Sequence, residues 1–332
     1  QLNMDLMTLA EETGKVEIHF NQQLEKADLI NNKLNFGKNQ VSFEKIIGCD
    51  GSASPLRKAI IENSKADYLK KPLGHGYKEL VIPPSESGDY LLEPNVLHIW
   101  PRGKFMLIAL PNLDRTFTCT LFLPVTGTTS FESIKNEIEI IELFHNYFPD
   151  ALEIMPTLCN DFQNNPIGIL ASVYCDPWHV EDKAVLIGDA AHAVVPFFGQ
   201  GMNASFQDCS VLNSLIMKYD GDWTQILNEY SSKQIENGYA IADMAIENYL
   251  EMRDAVNDPV YQKRRNLELE LERKFPDRFI PRYSMVSFHQ IPYAEVYRRG
   301  EIQLKLMNQF LSNEIIEPEL YQLINSQLNS IL

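Results

Sequence analysis

Apolar positions at helical and strand-like spacings predict the order of elements along the chain. Leucines at positions 2, 6 and 9 share one helical face and predict a helix over residues 2–12. Strand-like segments follow at 16–20 and 41–47, separated by an asparagine-rich turn. A glycine-containing break at 48–51 then leads to a short helix that begins at Pro55.

The middle of the chain has a different pattern, with short apolar segments between turn residues. Strands are predicted at 77–82, 96–100, 105–110 and 116–123. Repeated strands of this kind form an antiparallel sheet with one face packed and the other available to a ligand. A capping box at 129–132 predicts a helix that ends near Tyr147.

The last part of the chain returns to an α/β pattern and then becomes helical. A short buried strand is predicted at 183–189, followed by a glycine-containing loop and a helix from about Met202. Beyond Trp223 four helical stretches are predicted, at 223–256, 261–274, 293–311 and 318–332. The sequence therefore predicts an α/β protein with four segments. The first α/β part is 1–72, the inserted sheet 73–180, the second α/β part 181–222 and the C-terminal helical region 223–332.

Composition excludes several classes of partner. The net charge of -16 argues against a nucleic-acid partner, which requires clustered Lys and Arg. No segment approaches the roughly 18 consecutive apolar residues of a membrane-spanning helix, so no membrane partner is expected. The five cysteines show no CxxC spacing, and the sequence has no HExxH motif. Reduced thiols, a cytoplasmic location and no bound metal are therefore predicted.

Three glycine-containing segments carry the candidate chemistry. Gly188 and Asp189 end a buried strand, where a carboxylate can accept hydrogen bonds from a ribose hydroxyl and glycine allows close approach. The loop 196–203 then opens a helix, whose N–H groups and dipole favour negative charge. A reduced flavin ring carries such charge at its N1–C2=O edge. An earlier turn at Asp50 and Gly51 is followed by Ser54 and Arg57, which can anchor it.

Together these motifs resemble the group A flavoprotein aromatic hydroxylases. The pattern is Asp-Gly-x-x-Ser-x-x-Arg at 50–57, Gly-Asp-Ala-Ala-His at 188–192 and Pro-x-x-Gly-x-Gly-x-Asn at 196–203. Within that group, the segments 75–80, 92–101, 109–115, 195–203 and 278–285 resemble the kynurenine 3-monooxygenase family, and the similarity reaches at least Gly300. The resemblance implies a p-hydroxybenzoate-hydroxylase-like fold, a partial Rossmann-like FAD-binding domain with an inserted antiparallel substrate-binding sheet.

The resemblance also implies the reaction and its site. FAD and NADPH would be the cofactors, and L-kynurenine would be hydroxylated by O₂ to 3-hydroxykynurenine through a flavin C4a-hydroperoxide, a step of tryptophan degradation. The chemistry would be carried by the flavin, with no side chain acting as acid or base. The implied cofactor-binding residues are Asp50, Gly51, Arg57, Gly188, Asp189, Pro196, Gly199, Gln200, Gly201, Met202 and Asn203. The implied substrate-binding residues are Phe117, Phe197, Phe198, Asn248, Tyr283, Met106 and Ile108.

The sequence departs from the family pattern in the segment that binds the ADP half of FAD. These hydroxylases begin with a strand, a Gly-x-Gly-x-x-Gly turn and a helix that hold the ADP half of FAD, and none of the 16 glycines here forms that turn. The chain is therefore expected to carry the flavin-ring half of the site without the adenine half, and a preceding segment is expected in the natural protein. Two alternatives remain open: a flavin hydroxylase of a phenolic acid, and a non-catalytic fragment that binds ligand but not FAD. An oligomer is compatible with the helical region.

Overall fold

The N-terminal part of the protein contains a helix and a small antiparallel meander. In the computed structural model, which describes residues 2–64, 67–255 and 258–331, the helix predicted at 2–12 is confirmed. Residues 16–20 form no strand, and the predicted strand 41–47 is divided between two sheets because the chain turns after Ser42. The elements are α1 (Leu2–Glu12), β1 (Lys26–Asp28), β2 (Lys33–Phe36), β3 (Asn39–Ser42), β4 (Ile46–Gly48) and α2 (Pro55–Ser64).

A second small sheet brings together two distant parts of the sequence. Its strands are β4, β10 (His179–Val180) and β11 (Ala184–Leu186), in the order β10-β11-β4. β11 runs parallel to β4. Both strands therefore end at the same edge, where α/β sheets bind ligands. The strand predicted at 183–189 is shorter than expected, because Asp189 begins the helix α6 (Asp189–His192).

The inserted antiparallel sheet is confirmed, and it contains one strand more than the sequence predicted. Its order is β6-β7-β8-β5-β9, and every pairing is antiparallel. The unpredicted strand β9 pairs with residues 67–77 of β5, which is longer than the predicted segment 77–82. The strands are β5 (Asp67–Ile82), β6 (His98–Pro101), β7 (Met106–Pro111), β8 (Phe117–Pro124) and β9 (Gly168–Asp176).

One face of this sheet is covered by three short helices. They are α3 (Glu137–Tyr147), α4 (Pro149–Leu152) and α5 (Leu158–Asn164). The capping box predicted at 129–132 is wrong. Ser130 and Ser133 hydrogen-bond to each other in a turn, whereas the side chain of Asn136 accepts from the Glu139 N–H at 3.1 Å and caps α3. The opposite face of the sheet faces the loop 196–200.

From α7 onward the described part of the chain is helical, which confirms the predicted C-terminal helical region. α8 ends at Leu250 and continues into a π-helical turn, Glu251–Ala255, so it is shorter than the predicted stretch 223–256. The predicted ends Val256 and Leu332 lie outside the described residues. Within the described part of the chain, no helix has the length and apolar character needed to cross a bilayer. The helices are α7 (Gly201–Lys218), α8 (Trp223–Leu250), α9 (Pro259–Lys274), α10 (Arg282–Phe288), α11 (Tyr293–Leu311) and α12 (Glu317–Gln327).

Candidate active site

Two cavities meet at the loop 196–200, which follows α6 and leads into α7. The first, of about 540 Å³, lies between this loop and the open face of the large sheet, and we call it the sheet cavity. The second, of about 570 Å³, lies where β4 and β11 end and α7 begins, and we call it the turn cavity. Asp189, Val194, Pro196 and Gly199 line both. The loop is therefore the shared wall of one composite site.

The turn at Gly188 can be formed only by glycine. Its φ of +60° is in the left-handed region, and a Cβ at this position would lie 2.8 Å from Ser205 Oγ. The Gly188 N–H donates to Asp208 Oδ2 at 2.8 Å, which fixes the turn against α7. The predicted residues Gly188 and Asp189 therefore lie at the composite site, and Asp189 contributes a carboxylate to both cavities.

The buried carboxylate of Asp208 holds three elements together. In addition to the Gly188 N–H, it accepts from His192 Nε2 at 2.6 Å and from Gln234 Nε2 at 2.9 Å. Its side chain is only 2% exposed, and the His192 ring stacks on Trp178 at 5.0 Å. Asp208 thus connects α6, α7 and α8. No pattern in the sequence indicates this role, since a single acid in a helix more often lies on a solvated face.

Two predicted cofactor-binding residues lie behind the turns and line neither cavity. Arg57 is 4% exposed, and its guanidinium donates to Ala190 O at 2.7 Å and to Ser52 O at 2.6 Å. It therefore joins the turn after β4 to the turn after β11. Asp50 accepts from the Leu56 N–H at 3.1 Å and fixes the start of α2. Of this first motif, Gly51 lines the turn cavity and Ser52 lines the sheet cavity.

Replacing Arg57 with lysine is expected to lower the free energy of unfolding by about 2 kcal/mol, because an ammonium group cannot reach both carbonyl groups as the planar guanidinium does. Urea denaturation measures the loss. The neighbouring Lys58, 78% exposed and 4.0 Å from Glu62, provides the control Lys58→Ala, with an expected change within about 0.5 kcal/mol. Equal stabilities of the two variants would contradict the bridging role of Arg57.

The loop itself has the geometry of an anion-binding turn. Pro196–Phe198 forms a 3₁₀ turn, Gly199 adopts φ +65°, and Gln200 precedes the first residue of α7. The first N–H groups of a helix have no partner within the helix, so the start of α7 presents donors at the turn cavity. Gly201 and Met202 line this cavity. Asn203 does not, and its Nδ2 donates to Gln200 Oε1 at 3.2 Å.

Side chains of the helical region hold the aromatic residues of the loop. The ring of Phe197 stacks on Tyr249 at 4.2 Å, and the ring of Phe198 stacks on Tyr283 at 5.6 Å. Asn248 Nδ2 donates to Phe197 O at 2.8 Å. The sheet cavity is lined by Phe197, Phe198 and Tyr283, whereas Asn248 is behind the loop and is not among the residues that line the cavity. The structure thus brings three of these four predicted residues to the cavity.

On the sheet side of the cavity, two of the predicted substrate-binding residues, Met106 and Phe117, are not among the lining residues. Ile108 lines the cavity, whereas Met106 lies on the same face but is fully buried. Phe117 is fully buried on the opposite face, among side chains of α3 to α5. Alternate residues of a strand point to opposite faces. Because Thr120 pairs with Ile108 and Phe122 with Met106, these even-numbered residues of β8 share the cavity face.

The sequence interpretation missed several residues of the cavity. Strict alternation along β8 would have identified two of them, Thr120 and Phe122. The positions of Tyr77 and Glu79 depend on the pairing of β5 with β8, and that of Met252 depends on the π-helical turn after α8. Neither feature can be inferred from apolar spacing. The missed residues include Tyr77, Glu79, Thr120, Phe122 and Met252.

Two cysteines, Cys49 and Cys209, line the turn cavity. Desolvation raises the pKa of both thiols, and the negative charge of Asp208 acts in the same direction. The pKa of Cys49 reaches about 11. Both thiols are therefore neutral at physiological pH and add no negative charge to the cavity. Among the described residues, no three His, Cys, Asp or Glu side chains are grouped as for a metal ion.

Comparison with known proteins gives both family and fold relatives. The family described as FAD binding domain matches residues 1–245. A kynurenine 3-monooxygenase of Flavobacterium johnsoniae is 41% identical over 95% of this chain and 72% of its own length. That of Myxococcus xanthus is 43% identical over 91% of this chain and 66% of its own length. The chain thus spans about two thirds to three quarters of these relatives.

A solved structure is similar in fold at low sequence identity. Klebsiella pneumoniae HpxO, crystallised with FAD and uric acid, superposes with a TM-score of 0.59. The match covers 92% of this chain and 70% of the HpxO chain at 15% identity. At this identity the similarity establishes the fold alone.

Proposed function

The chain belongs to the FAD-binding-domain family and to the kynurenine 3-monooxygenase family, and from that premise we propose that it binds FAD and hydroxylates L-kynurenine to 3-hydroxykynurenine. NADPH as reductant and O₂ as the source of oxygen are part of the proposal. The observation that carries it is the composite site, in which a glycine loop at a helix start separates a cavity between two turns from an aromatic cavity on the sheet.

The residues of the turn cavity fit a flavin. Gly188 has no room for a Cβ and a backbone conformation that favours glycine, as expected where a cofactor approaches the main chain closely. The N–H groups at the start of α7 would stabilise the negative charge of a reduced ring. The carboxylate of Asp189 would accept hydrogen bonds from the hydroxyls of the flavin side chain. When bound, FAD supplies the reductive activation of O₂ and the transfer of one oxygen atom to the aromatic ring.

The sheet cavity fits an aromatic amino acid such as L-kynurenine. Phe122 and Phe198 provide apolar ring surfaces, and Tyr283 provides a phenol at the rim, where its side chain is 51% exposed. The phenol can donate to a carboxylate, and the carboxylate of Glu79 can accept from an amino group. In this proposal the side chains bind and orient the substrate and exclude water, and none transfers a proton.

The Tyr283→Phe variant is expected to raise KM for L-kynurenine about tenfold with little change in kcat, because one hydrogen bond to a charged group is lost while the stacking on Phe198 is retained. Steady-state kinetics of the FAD-loaded protein measures both constants. Tyr90→Phe is the matched control, since the Tyr90 hydroxyl donates to Asn112 O at 2.7 Å and its ring contacts Phe117, on the other face of the sheet. A KM that rises equally in both variants would refute the assigned contact.

A binding experiment tests the proposed function directly. FAD is titrated into the protein and followed by its visible absorption, and L-kynurenine is then added. We expect saturable FAD binding and a perturbed flavin spectrum on addition of L-kynurenine. A protein that binds L-kynurenine but never FAD would instead be a ligand-binding body without the cofactor. A spectrum that responds to a phenolic acid and not to L-kynurenine would assign another substrate class.

A further inference from the structure

A buried hydrogen bond joins the C-terminal helices to the end of the loop 196–200. Tyr293, the first residue of α11, donates its phenol O–H to Gln200 Oε1 at 3.0 Å. Both side chains are buried, each with 7% exposure. Neither residue lines the sheet cavity or the turn cavity. The contact therefore reaches the loop from behind, at the point where the loop becomes α7.

The amide of Gln200 transmits this contact to the loop. Its Oε1 accepts from Tyr293 and, at 3.2 Å, from Asn203 Nδ2 in the first turn of α7. Its Nε2 is 3.5 Å from Phe198 O, within the 3₁₀ turn. Since both donors face Oε1, they fix the orientation of the amide and place Nε2 toward the loop. Loss of the phenol would leave a buried amide oxygen with the longer of its two hydrogen bonds.

Tyr293 is itself held firmly. The next N–H along the chain, that of Ala294, donates to Asn237 Oδ1 of α8 at 3.0 Å. The ring lies in the same core as Phe197 and Phe198. Burial, with the nearby negative charge of Asp208, raises the pKa of Tyr293 to about 12. The phenol is therefore a neutral donor throughout the physiological pH range.

We propose that Tyr293 is a positioning residue for the flavin: through Gln200 it sets the position of the loop 196–200 and hence of the N–H groups at the start of α7. The inference rests on the proposed function, since the role of the loop in holding flavin is itself proposed. Phe198 is held by Tyr283, which lines the sheet cavity. Gln200 is held by Tyr293, which lines neither cavity, so the contact can be removed without replacing a residue that lines either cavity.

The test compares Tyr293→Phe with a matched variant of the same helix. Tyr297, one turn further along α11, donates to Glu247 Oε1 at 3.3 Å, and Tyr297→Phe also removes a single hydroxyl. Hydrogen exchange is measured without FAD at Gly199 and Ala204, whose N–H groups donate to Pro196 O at 2.9 Å and Gln200 O at 2.8 Å. Tyr293→Phe is expected to accelerate exchange at both about tenfold and Tyr297→Phe to leave it unchanged.

Two further measurements complete the test. The FAD dissociation constant should rise about tenfold in Tyr293→Phe and stay within about twofold in Tyr297→Phe. Gln200→Ala, which removes the acceptor without altering α11, should accelerate the same amides, and adding Tyr293→Phe to it should have no further effect. Unchanged exchange in Tyr293→Phe, or equal acceleration in both tyrosine variants, would overturn the inference. Failure of the wild-type protein to bind FAD would refute the proposed function. The exchange measurement needs no cofactor, so it would still show whether Tyr293 positions the loop.

Discussion

Replacing Gly188 with alanine is expected to abolish FAD binding and to lower the free energy of unfolding by about 3 kcal/mol. Two costs combine in this estimate. A non-glycine residue at φ +60° is strained by about 1–2 kcal/mol, and a Cβ 2.8 Å from Ser205 Oγ must displace its neighbour at a cost of about 1–3 kcal/mol. Ser205 cannot yield easily, because its hydroxyl donates to Gly201 O at 2.9 Å.

Urea denaturation and an FAD titration measure the two effects. Gly201→Ala is the matched control for stability, since its Cβ would meet only Val194 Cγ2 at 3.9 Å and its backbone is helical. It should change the free energy of unfolding by no more than about 0.5 kcal/mol. Adding Ser205→Gly to Gly188→Ala should restore part of the stability by relieving the contact, though not the backbone strain. A Gly188→Ala variant as stable as Gly201→Ala would contradict the geometry of the turn.

Replacing Asp208 with alanine is expected to cost about 4 kcal/mol of folding free energy, a large share of the roughly 5–15 kcal/mol that stabilises an ordinary protein. The substitution leaves three buried donors without their acceptor: the Gly188 N–H, His192 Nε2 and Gln234 Nε2. Each unsatisfied buried group costs about 1–3 kcal/mol, partly offset by relaxation. The turn before Asp189 loses its attachment to α7, so FAD affinity should fall together with stability.

Thermal and urea unfolding test this prediction, with Glu236→Ala as the control. Glu236 lies on α8 and is exposed, so the variant removes an equal charge without leaving a buried donor unsatisfied. Its effect should be within about 0.5 kcal/mol. Asp208→Asn should be intermediate, because one carbonyl oxygen remains as an acceptor. An Asp208→Ala variant that unfolds at the same urea concentration as Glu236→Ala would show that the network contributes no stability.

The sequence predicted the fold well where local signals and tertiary structure agree. The helices α1, α2, α7, α9 and α11 and the strands β6, β7 and β8 follow from apolar spacing and from turn residues. Errors occurred where tertiary contacts decide. The chain turns between β3 and β4 because their neighbours are in different sheets. The strand β9 was missed, since its near-continuous apolar sequence is ambiguous until it pairs with β5.

The candidate site was predicted in part for a similar reason. Gly188, Asp189 and the loop 196–202 could be identified because their motifs lie in short continuous segments. Phe117 was assigned to the cavity by resemblance. Because side chains alternate along β8 and Thr120 and Phe122 face the cavity, Phe117 points to the other face of the sheet. Asp208 and Tyr293 act through partners far along the chain, so that no spacing within the sequence indicates them. Roles that depend on such contacts require the structure.

Mass spectrometry of the product shows whether the protein hydroxylates L-kynurenine. The protein, supplemented with FAD, is incubated with NADPH, L-kynurenine and isotopically labelled O₂. We expect 3-hydroxykynurenine that carries one labelled oxygen atom, formed only when FAD, NADPH and L-kynurenine are all present. NADPH oxidised without a hydroxylated product, while the protein demonstrably holds FAD and L-kynurenine, would contradict the proposed function.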